Sequence, residues 1–415
     1  MRTSFDETIE RIVRNEWGRL LALLATQFRD LDFAEDALQE AVTRAVVTWP
    51  ERGIPANPAA WLLTTARRVA IDDVRRARTF EQKWLLLETD ARFEMNQEMI
   101  TFDDDIPDER LRLIFTCCHP ALSQDTRVML TLRTLGGLTT AEIASALLKE
   151  EATVAQRISR AKRKIRDAGI PFQTPALSDL PERLDTVLNV LYLISNEGFL
   201  SSGGQSADRP DLAIEAIRLT RILRGLMPEE PEVRGLLALM VLNHARRPAR
   251  IGPNGEIVTL GEQDRDRWHR PSIEEGSAEL ETALRMRRAG PFQLQAAISA
   301  VHCDAASSDA TDWRQIVALY DLLYRMIPTP IVALNRAIAV SEVAGAQAGL
   351  DAIDGMDRLD EIEQYRFLHS TRADLLRRLG RMDDAAAAYR RALDLVENDA
   401  ERSLLQARLE SLTDS

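Results

Sequence analysis

With 415 residues the chain is long enough for two to four domains. Aromatic side chains make up 5% of a composition that is 45% hydrophobic, and valine and isoleucine rarely alternate with polar neighbours, so helices rather than sheets are expected. A formal charge of −12 speaks against a DNA-binding chain until that charge is divided along the sequence.

Residues 1–170 hold 25 basic and 27 acidic side chains, whereas residues 171–415 hold 28 and 38. Within the first part, residues 79–108 carry nine acids and two bases, so the stretches flanking them are net basic. The acidity therefore belongs to a linker and to the C-terminal half. Three cysteines, Cys117, Cys118 and Cys303, are too few for a disulfide framework and fit a reducing compartment. No apolar run reaches the length of a membrane span and no signal-peptide pattern opens the chain, so a soluble, cytoplasmic protein without membrane contact is expected.

In chain order, Ile9, Ile12, Val13, Trp17, Leu20, Leu21 and Leu24 recur at steps of three and four and predict one long amphipathic helix from Phe5 to about Phe28. Asp30 and Asp32 punctuate the break after it. A second helix is expected from about Ala34 to Trp49, stopped by Pro50, with Ala37, Leu38, Val42 and Val46 inward and Asp36, Gln39, Glu40 and Arg44 on a polar face. The loop Glu51–Pro58 contains Gly53, Pro55 and Pro58 and is not helical throughout. A third helix begins near Pro58, with Trp61, Leu62, Ala66, Val69, Ala70 and Val74 apolar and Arg67, Arg68, Arg75, Arg76 and Arg78 outnumbering Asp72 and Asp73.

After the acidic linker, Glu109–Leu122 and Thr126–Leu135 read as helices, with Gly136-Gly137 as a turn. Leu138–Arg166 then reads as two short helices with a tight break at Lys149-Glu150-Glu151. Thr140 is the expected N-cap of the first, with Glu142 near the positive end of its dipole. The second carries Val154, Ile158, Ala161 and Ile165 on one face. Arg157, Arg160, Lys162, Arg163, Lys164 and Arg166 give six cations in ten residues without an acid, the pattern of a helix that meets phosphate. The geometry suits a helix-turn-helix whose second helix enters the major groove. An ordinary helix pair with a solvated basic face is the alternative.

Basic lobe, acidic linker and basic helix-turn-helix together resemble a bacterial sigma factor of the sigma-70 family, of the compact extracytoplasmic-function type with only regions 2 and 4. Phe33–Trp49 and Ala59–Arg76 resemble regions 2.2 and 2.4, and Leu138–Gly169 resembles region 4.2. The resemblance covers roughly residues 5–170. It implies that Asp36, Gln39 and Glu40 contact core RNA polymerase at the clamp helices of the largest subunit, with the flap region as a second polymerase contact. It also implies −10 promoter recognition and melting by Asn57, Thr64, Thr65, Arg68, Arg75 and Arg76. An irregular loop such as Gly53–Asn57 suits capture of unstacked bases, and Asn57 can donate and accept at a base edge. Trp61 is either core or a stacking surface, with core favoured. At −35 the resemblance implies Thr153, Gln156, Arg157, Arg160, Lys162, Arg163 and Lys164. Ala155 departs from the longer polar residue common at its position, so the −35 sequence is not predictable.

Cys117-Cys118-His119 invites a thiol- or metal-dependent enzyme as an alternative function. Adjacent cysteines on a helix point about 100° apart, and no second Cys/His group lies nearby in the sequence to complete a zinc site. Buried small residues are the simpler expectation, with no catalytic residue, metal or cofactor. A helix-turn-helix regulator that is not a sigma factor is the other alternative.

Gly169-Ile170-Pro171 ends the basic helix, and a spacer of about seven residues, Phe172–Ser178, leads into further helices that a minimal sigma factor lacks. Ile251–Leu260, around Pro253-Asn254-Gly255, is a β-hairpin signal. Ala318-Leu319-Tyr320 recurs at Ala387-Ala388-Tyr389, an offset of 69, and Gly345 and Gly380 lie 35 apart. This last third resembles tetratricopeptide repeats. The expected fold is all-α with one short β-hairpin, divided into residues 1–80 (region 2), 81–108 (acidic linker), 109–172 (region 4), 179–300 (helical extension) and 301–415 (TPR-like repeats). Promoter DNA and core polymerase are the expected partners, with a regulatory protein on the extension.

Overall fold

The computed structural model describes residues 2–76, 106–147, 149–176, 178–199, 209–252 and 255–412. Most of the expected acidic linker, up to residue 105, lies outside them, as do residues 201–208 and Pro253-Asn254 of the hairpin signal. The named elements are α-helices and short 3₁₀ turns, with no strand among the described residues. The chain divides into two compact units, Met1–Val190 and Leu191–Ser415.

The first unit opens with α1 (Arg2–Phe28), α2 (Leu31–Arg52) and α3 (Pro58–Arg76). Leu20, Leu21 and Leu24 of α1, Leu38, Ala41, Ala45 and Trp49 of α2, and Leu62, Ala66 and Ala70 of α3 are buried, and each pair of these helices packs together. Asp30 caps α2 by accepting from the backbone N–H of Asp32 and Phe33 at 2.9 and 3.1 Å. Pro50 does not stop α2, which runs two residues further. In the last turn a proline forfeits only one backbone bond. The helix ends instead at Gly53, whose φ of 82° reverses the chain while its N–H reaches Trp49 O at 2.9 Å.

Four more helices follow: α4 (Ile106–Cys117), α5 (Gln124–Thr134), α6 (Thr140–Ala146) and α7 (Glu151–Asp167). Their core holds Leu113, Phe115, Met129, Leu130, Leu132, Ile143, Val154, Ile158, Ala161 and Ile165. The cap of α6 is Thr139 rather than Thr140. Glu142 N–H donates to Thr139 Oγ1 at 3.1 Å and Thr139 N–H to Glu142 Oε2 at 2.7 Å, a reciprocal capping box. Helix α8 (Leu180–Phe199) contains the division between the units.

The second unit continues through α9 (Pro210–Leu226), α10 (Pro231–Ala245), α11 (Arg247–Arg250), α12 (Arg270–Arg285) and α13 (Pro291–Asp304). Helix α10 is apolar on every side, with Leu236 to Leu242 all buried, and such a helix must be enclosed. Helices α9, α12 and α13 enclose it. In place of the expected hairpin, Ile251 and Ile257 form one isolated antiparallel bridge. The remaining helices, α14 (Trp313–Met326), α15 (Pro330–Ala344), α16 (Ala346–Asp354), α17 (Arg366–Arg378), α18 (Met382–Leu395) and α19 (Asp399–Glu410), pack each on the next. Gly345 and Gly380 both take positive φ, 89° and 75°, at two of the turns.

Two helical glycines separate packing from propensity. A Cβ on Gly198 of α8 would lie 2.3 Å from the backbone nitrogen of Ala213, whereas one on Gly225 of α9 would meet nothing within 4 Å. Gly198→Ala is therefore expected to destabilise by about 1–3 kcal/mol through overpacking. Gly225→Ala should stabilise by about 0.5–1 kcal/mol. Urea titrations of both variants check the opposite signs.

Candidate nucleic-acid interface

Helix α7 is fixed by its apolar stripe. Val154, Ile158, Ala161 and Ile165 all turn inward, as their spacing requires. Gln156, Arg160, Arg163 and Lys164 are left exposed and Thr153 half-buried. Arg160, Arg163 and Lys164 line one shallow basic hollow with Asp167 and Ala168. Arg157 Nη1 reaches Asp125 Oδ2 at 2.9 Å, and Lys164 Nζ donates to the backbone oxygen of Ala121. The Arg157 pair is exposed on both sides, worth about 0–1 kcal/mol at most, so a phosphate can displace Asp125 cheaply. Gly169, with φ of 60°, closes the helix beyond Asp167.

Lys162 is arranged differently. Its side chain is only 10% exposed, and its ammonium lies 2.6 Å from Glu35 Oε2 and 3.0 Å from Asp32 Oδ1, both on α2. Glu35 is 4% exposed and also pairs with Arg133 of α5. Gln39 Nε2 donates to Glu35 Oε1 at 3.0 Å. Burial pushes the Lys162 ammonium down, but Glu35 and Asp32 outweigh it and hold its pKa above the usual lysine range. Arg166 Nη1 lies 3.2 Å from Asp32 Oδ2 and 3.4 Å from Asp30 Oδ2. Sequence reasoning did not single out Asp30, Asp32, Glu35 or Arg133 as a cluster. The available signal was that Lys162 adjoins Ile158, Ala161 and Ile165 around the helix, at the edge of the apolar stripe.

On α2, Asp36, Gln39 and Glu40 share an exposed face. Glu40 pairs with Arg44 at 2.9 Å. Burial raises the pKa of Asp36, with Lys162 opposing and Glu35, Asp32 and Asp30 adding to the rise. On the loop before α3, exposed Asn57 accepts the Ala60 N–H at 3.0 Å and so begins the helix. Its amide nitrogen is not used by that bond. Thr64 and Arg68 are exposed along α3 and Thr65 is half-buried. Arg75 and Arg76 belong to its last turn, with side chains outside the described residues. Trp61 is half-buried, its ring edge-on to buried Trp49 at 5.5 Å, so it braces the core.

In the Cys117-Cys118-His119 stretch both cysteines are buried, whereas His119 is half-exposed. Cys117 Sγ lies 3.0 Å from Thr134 Oγ1 and Cys118 Sγ 3.7 Å from Thr131 Oγ1. Burial pushes both thiols up, Cys118 to about 11, which starves them of the thiolate that nucleophilic or metal chemistry uses. Among the described residues, no group of three metal-ligating side chains comes together.

Three family models match the chain. Residues 12–80 match sigma-70 region 2, residues 112–165 match sigma-70 region 4, and residues 183–284 match a family of unknown function, DUF6596. An uncharacterized protein of Rhizobium meliloti (strain 1021) is 42% identical over 398 residues, 94% of this chain and 93% of its own length. The ECF RNA polymerase sigma factor SigK of Mycobacterium ulcerans (strain Agy99) is 29% identical over 150 residues, 36% of this chain and 79% of its own. The ECF RNA polymerase sigma factor SigX of Bacillus subtilis (strain 168) is 28% identical over 153 residues, 36% of this chain and 77% of its own.

All three cysteines are buried. A disulfide-exchange reagent at pH 8 should find no reactive thiol in the native protein and all three in urea. Rapid native reaction of Cys117 or Cys118 would restore the thiol-enzyme alternative.

Proposed function

Because the chain belongs to the sigma-70 family, with regions 2 and 4 and relatives of the extracytoplasmic-function type, we propose that it directs core RNA polymerase to specific promoters. The observation that carries this reading is the pairing of region 2 with a helix-turn-helix whose α7 presents Gln156, Arg160, Arg163 and Lys164 outward from a fully buried apolar stripe. In this reading Gln156 and Arg160, flanked by Thr153 and Arg157, read base edges at −35, and Lys162, Arg163 and Lys164 meet phosphates. Asn57, Thr64, Thr65, Arg68, Arg75 and Arg76 serve recognition and melting at −10. Asp36, Gln39 and Glu40 dock on the clamp helices of the largest polymerase subunit, and the flap region receives the region 4 lobe.

The parts of the protein are then residues 1–80, 81–108 and 109–172 for promoter and polymerase, and residues 179–300 and 301–415 for an extension that governs activity. The sequential helix pairs turning at Gly345 and Gly380 support a TPR-like array in the last part, able to receive a regulatory polypeptide. Arg183 of α8 donates to Phe115 O at 2.6 Å, so the start of the extension braces region 4. That contact favours an extension required for a productive arrangement over one that inhibits.

Run-off transcription tests the reading: core polymerase with this protein should initiate at a cognate promoter, whereas a regulator alone could not start it. Gln156→Ala and Arg160→Ala should each lose about 1–3 kcal/mol at one base position and relax preference there in a randomised −35 library. Asp36→Ala with Gln39→Ala should weaken core binding without unfolding, and unchanged affinity in a titration with core would remove the assignment of that face. Ending the chain after Gln173 should lower transcription from the cognate promoter. A well-folded truncation that is more active than the full chain would establish inhibition instead.

A further inference from the structure

In the second unit, the end of α8, the short α11 and the loop that follows it form the walls of a cavity of about 300 Å³. The lining is mostly carbon. Phe199, Ile251, Ile257, Val258 and Leu260 contribute to it, and all five are half-buried, in contrast to the buried run Leu236 to Leu242 of α10. Backbone bonds hold the shape. The Ile251–Ile257 bridge pinches the loop, Val258 N–H donates to Arg250 O at 2.8 Å, and Gln263 Nε2 donates to Val258 O at 3.1 Å. The cavity is therefore preformed, at the small end of the range for ligand sites.

No acidic side chain lines this cavity, although residues 171–415 hold 38 acids against 28 bases. Two arginines line it instead. Arg250 serves the wall itself: its guanidinium lies 3.6 Å from the Phe199 ring centroid and donates to Phe199 O. Arg246 is placed differently. It donates from Nη2 to Asn243 Oδ1 at 2.7 Å, but its Nε has no hydrogen-bond partner and no carboxylate pairs with it among the described residues. Burial pulls its pKa below the usual arginine value, with Cys303 opposing and Arg265 adding to the fall. A shielded cation without a counter-ion is costly, and an anion in the cavity removes that cost.

We propose that this cavity binds a small monocarboxylate with an apolar body, its carboxylate answered by Arg246 and its chain or ring seated against Phe199, Ile251, Ile257, Val258 and Leu260. A cation is disfavoured, since it would meet two guanidiniums and no acid. A guanidinium presents a planar fork of donors that matches a carboxylate. A nucleotide fits poorly, because its sugar and phosphates would lie against carbon with their polar groups unpaired. The bound body extends the core of the unit, since Leu260 packs on the cluster of Leu242, Ala245, Ala249, Trp268 and Ile273. Every lining residue falls within residues 183–284, the stretch that matches DUF6596, so the site gives that stretch a ligand-binding role. The inference stands apart from the promoter reading.

Calorimetric titration of the full chain with sodium octanoate tests it. One molecule should bind per chain and raise the melting temperature. Acetate, which lacks the apolar body, should not bind, and 1-octanol, which lacks the charge, should bind about tenfold more weakly than octanoate. Arg246→Met, similar in length but uncharged, should bring octanoate down to the affinity of octanol and leave octanol unchanged. Val258→Trp, which fills the cavity, should abolish both. The buried native thiols report the fold of each variant, Cys303 from the core on which Leu260 packs. If Val258→Trp exposes them, Thr259→Trp on the same wall takes its place. If Arg246→Met exposes them, octanoate against octanol on the unsubstituted chain decides the charge. Octanoate that fails to saturate the chain, binds no more tightly than octanol, or binds the folded cavity-filling variant equally well overturns the proposal. A dimer that the cavity-filling variant converts to a monomer gives the cavity to a second copy and overturns it too. No readout involves polymerase or DNA, so failure here leaves the promoter reading intact, and failure of run-off transcription leaves this site in place.

Discussion

Glu35 is a carboxylate that water barely reaches, and side chains from three helices converge on it: Gln39 from its own α2, Arg133 from α5 and Lys162 from α7. A buried anion is tolerable only when its lone pairs are filled and its charge is answered, and here two cations and an amide do both. That requirement fixes how α2 stands against α5 and α7. Because Lys162 sits next to the buried stripe of α7, the same requirement also fixes which way α7 faces. Removing one partner from a closed set of this kind costs about 3–5 kcal/mol, since the remaining charge stays buried and alone.

The second unit solves a different problem. Helix α10 has no wide polar face to give to solvent, so its neighbours must cover it, and the buried Arg250 and Arg265 of this unit are held by backbone oxygens. Arg265 is the clearest case. Its Nη1 donates to the backbone oxygens of His302 and Ala305 and its Nη2 to Thr311 Oγ1 at 3.3 Å, while its guanidinium lies 4.7 Å from the Trp268 ring centroid. It thereby satisfies carbonyls at the end of α13 that have no helical partner. Burial, reinforced by Arg246 and Arg265, pushes the neighbouring His302 down to about 4, so this histidine stays neutral at physiological pH. Such a set is built for rigidity, in contrast to the partly exposed pairs of the lobe contact.

These two arrangements differ in how far they could be read from the sequence. The helices were legible because apolar residues recur at the helical period, and Val154, Ile158, Ala161 and Ile165 are buried as that period demands. Local chemistry was legible only to within a residue. Thr139 and Thr140 are both good caps, and only the position of Glu142 three residues after Thr139 completes the reciprocal bonds. Pro50 looked like a stop because proline breaks a helix interior, but in a last turn it has little to break. The hairpin signal at Ile251–Leu260 produced a single bridge, since one pair of apolar residues gives too little ladder to sustain strands. The role of Arg265 is not legible in the sequence, because a long-range bond to a carbonyl leaves no mark in local composition.

The candidate site shows why counting charges could not finish the task. The six cations of α7 look equivalent in the sequence, yet the fold gives them different partners. Arg157 has an exposed acid, Lys164 a backbone oxygen, and Lys162 and Arg166 the acids of α2, while no described residue pairs with Arg160 or Arg163. Two of those acids, Asp30 and Asp32, arise from a cap and a first turn that α2 needs for its own sake, where negative side chains favour the positive helix end. Helix capping on one lobe thus supplies the counter-charge for the other. A positive helix thus faces an acidic helix start, and Lys162 and Arg166 are already answered by carboxylates of α2.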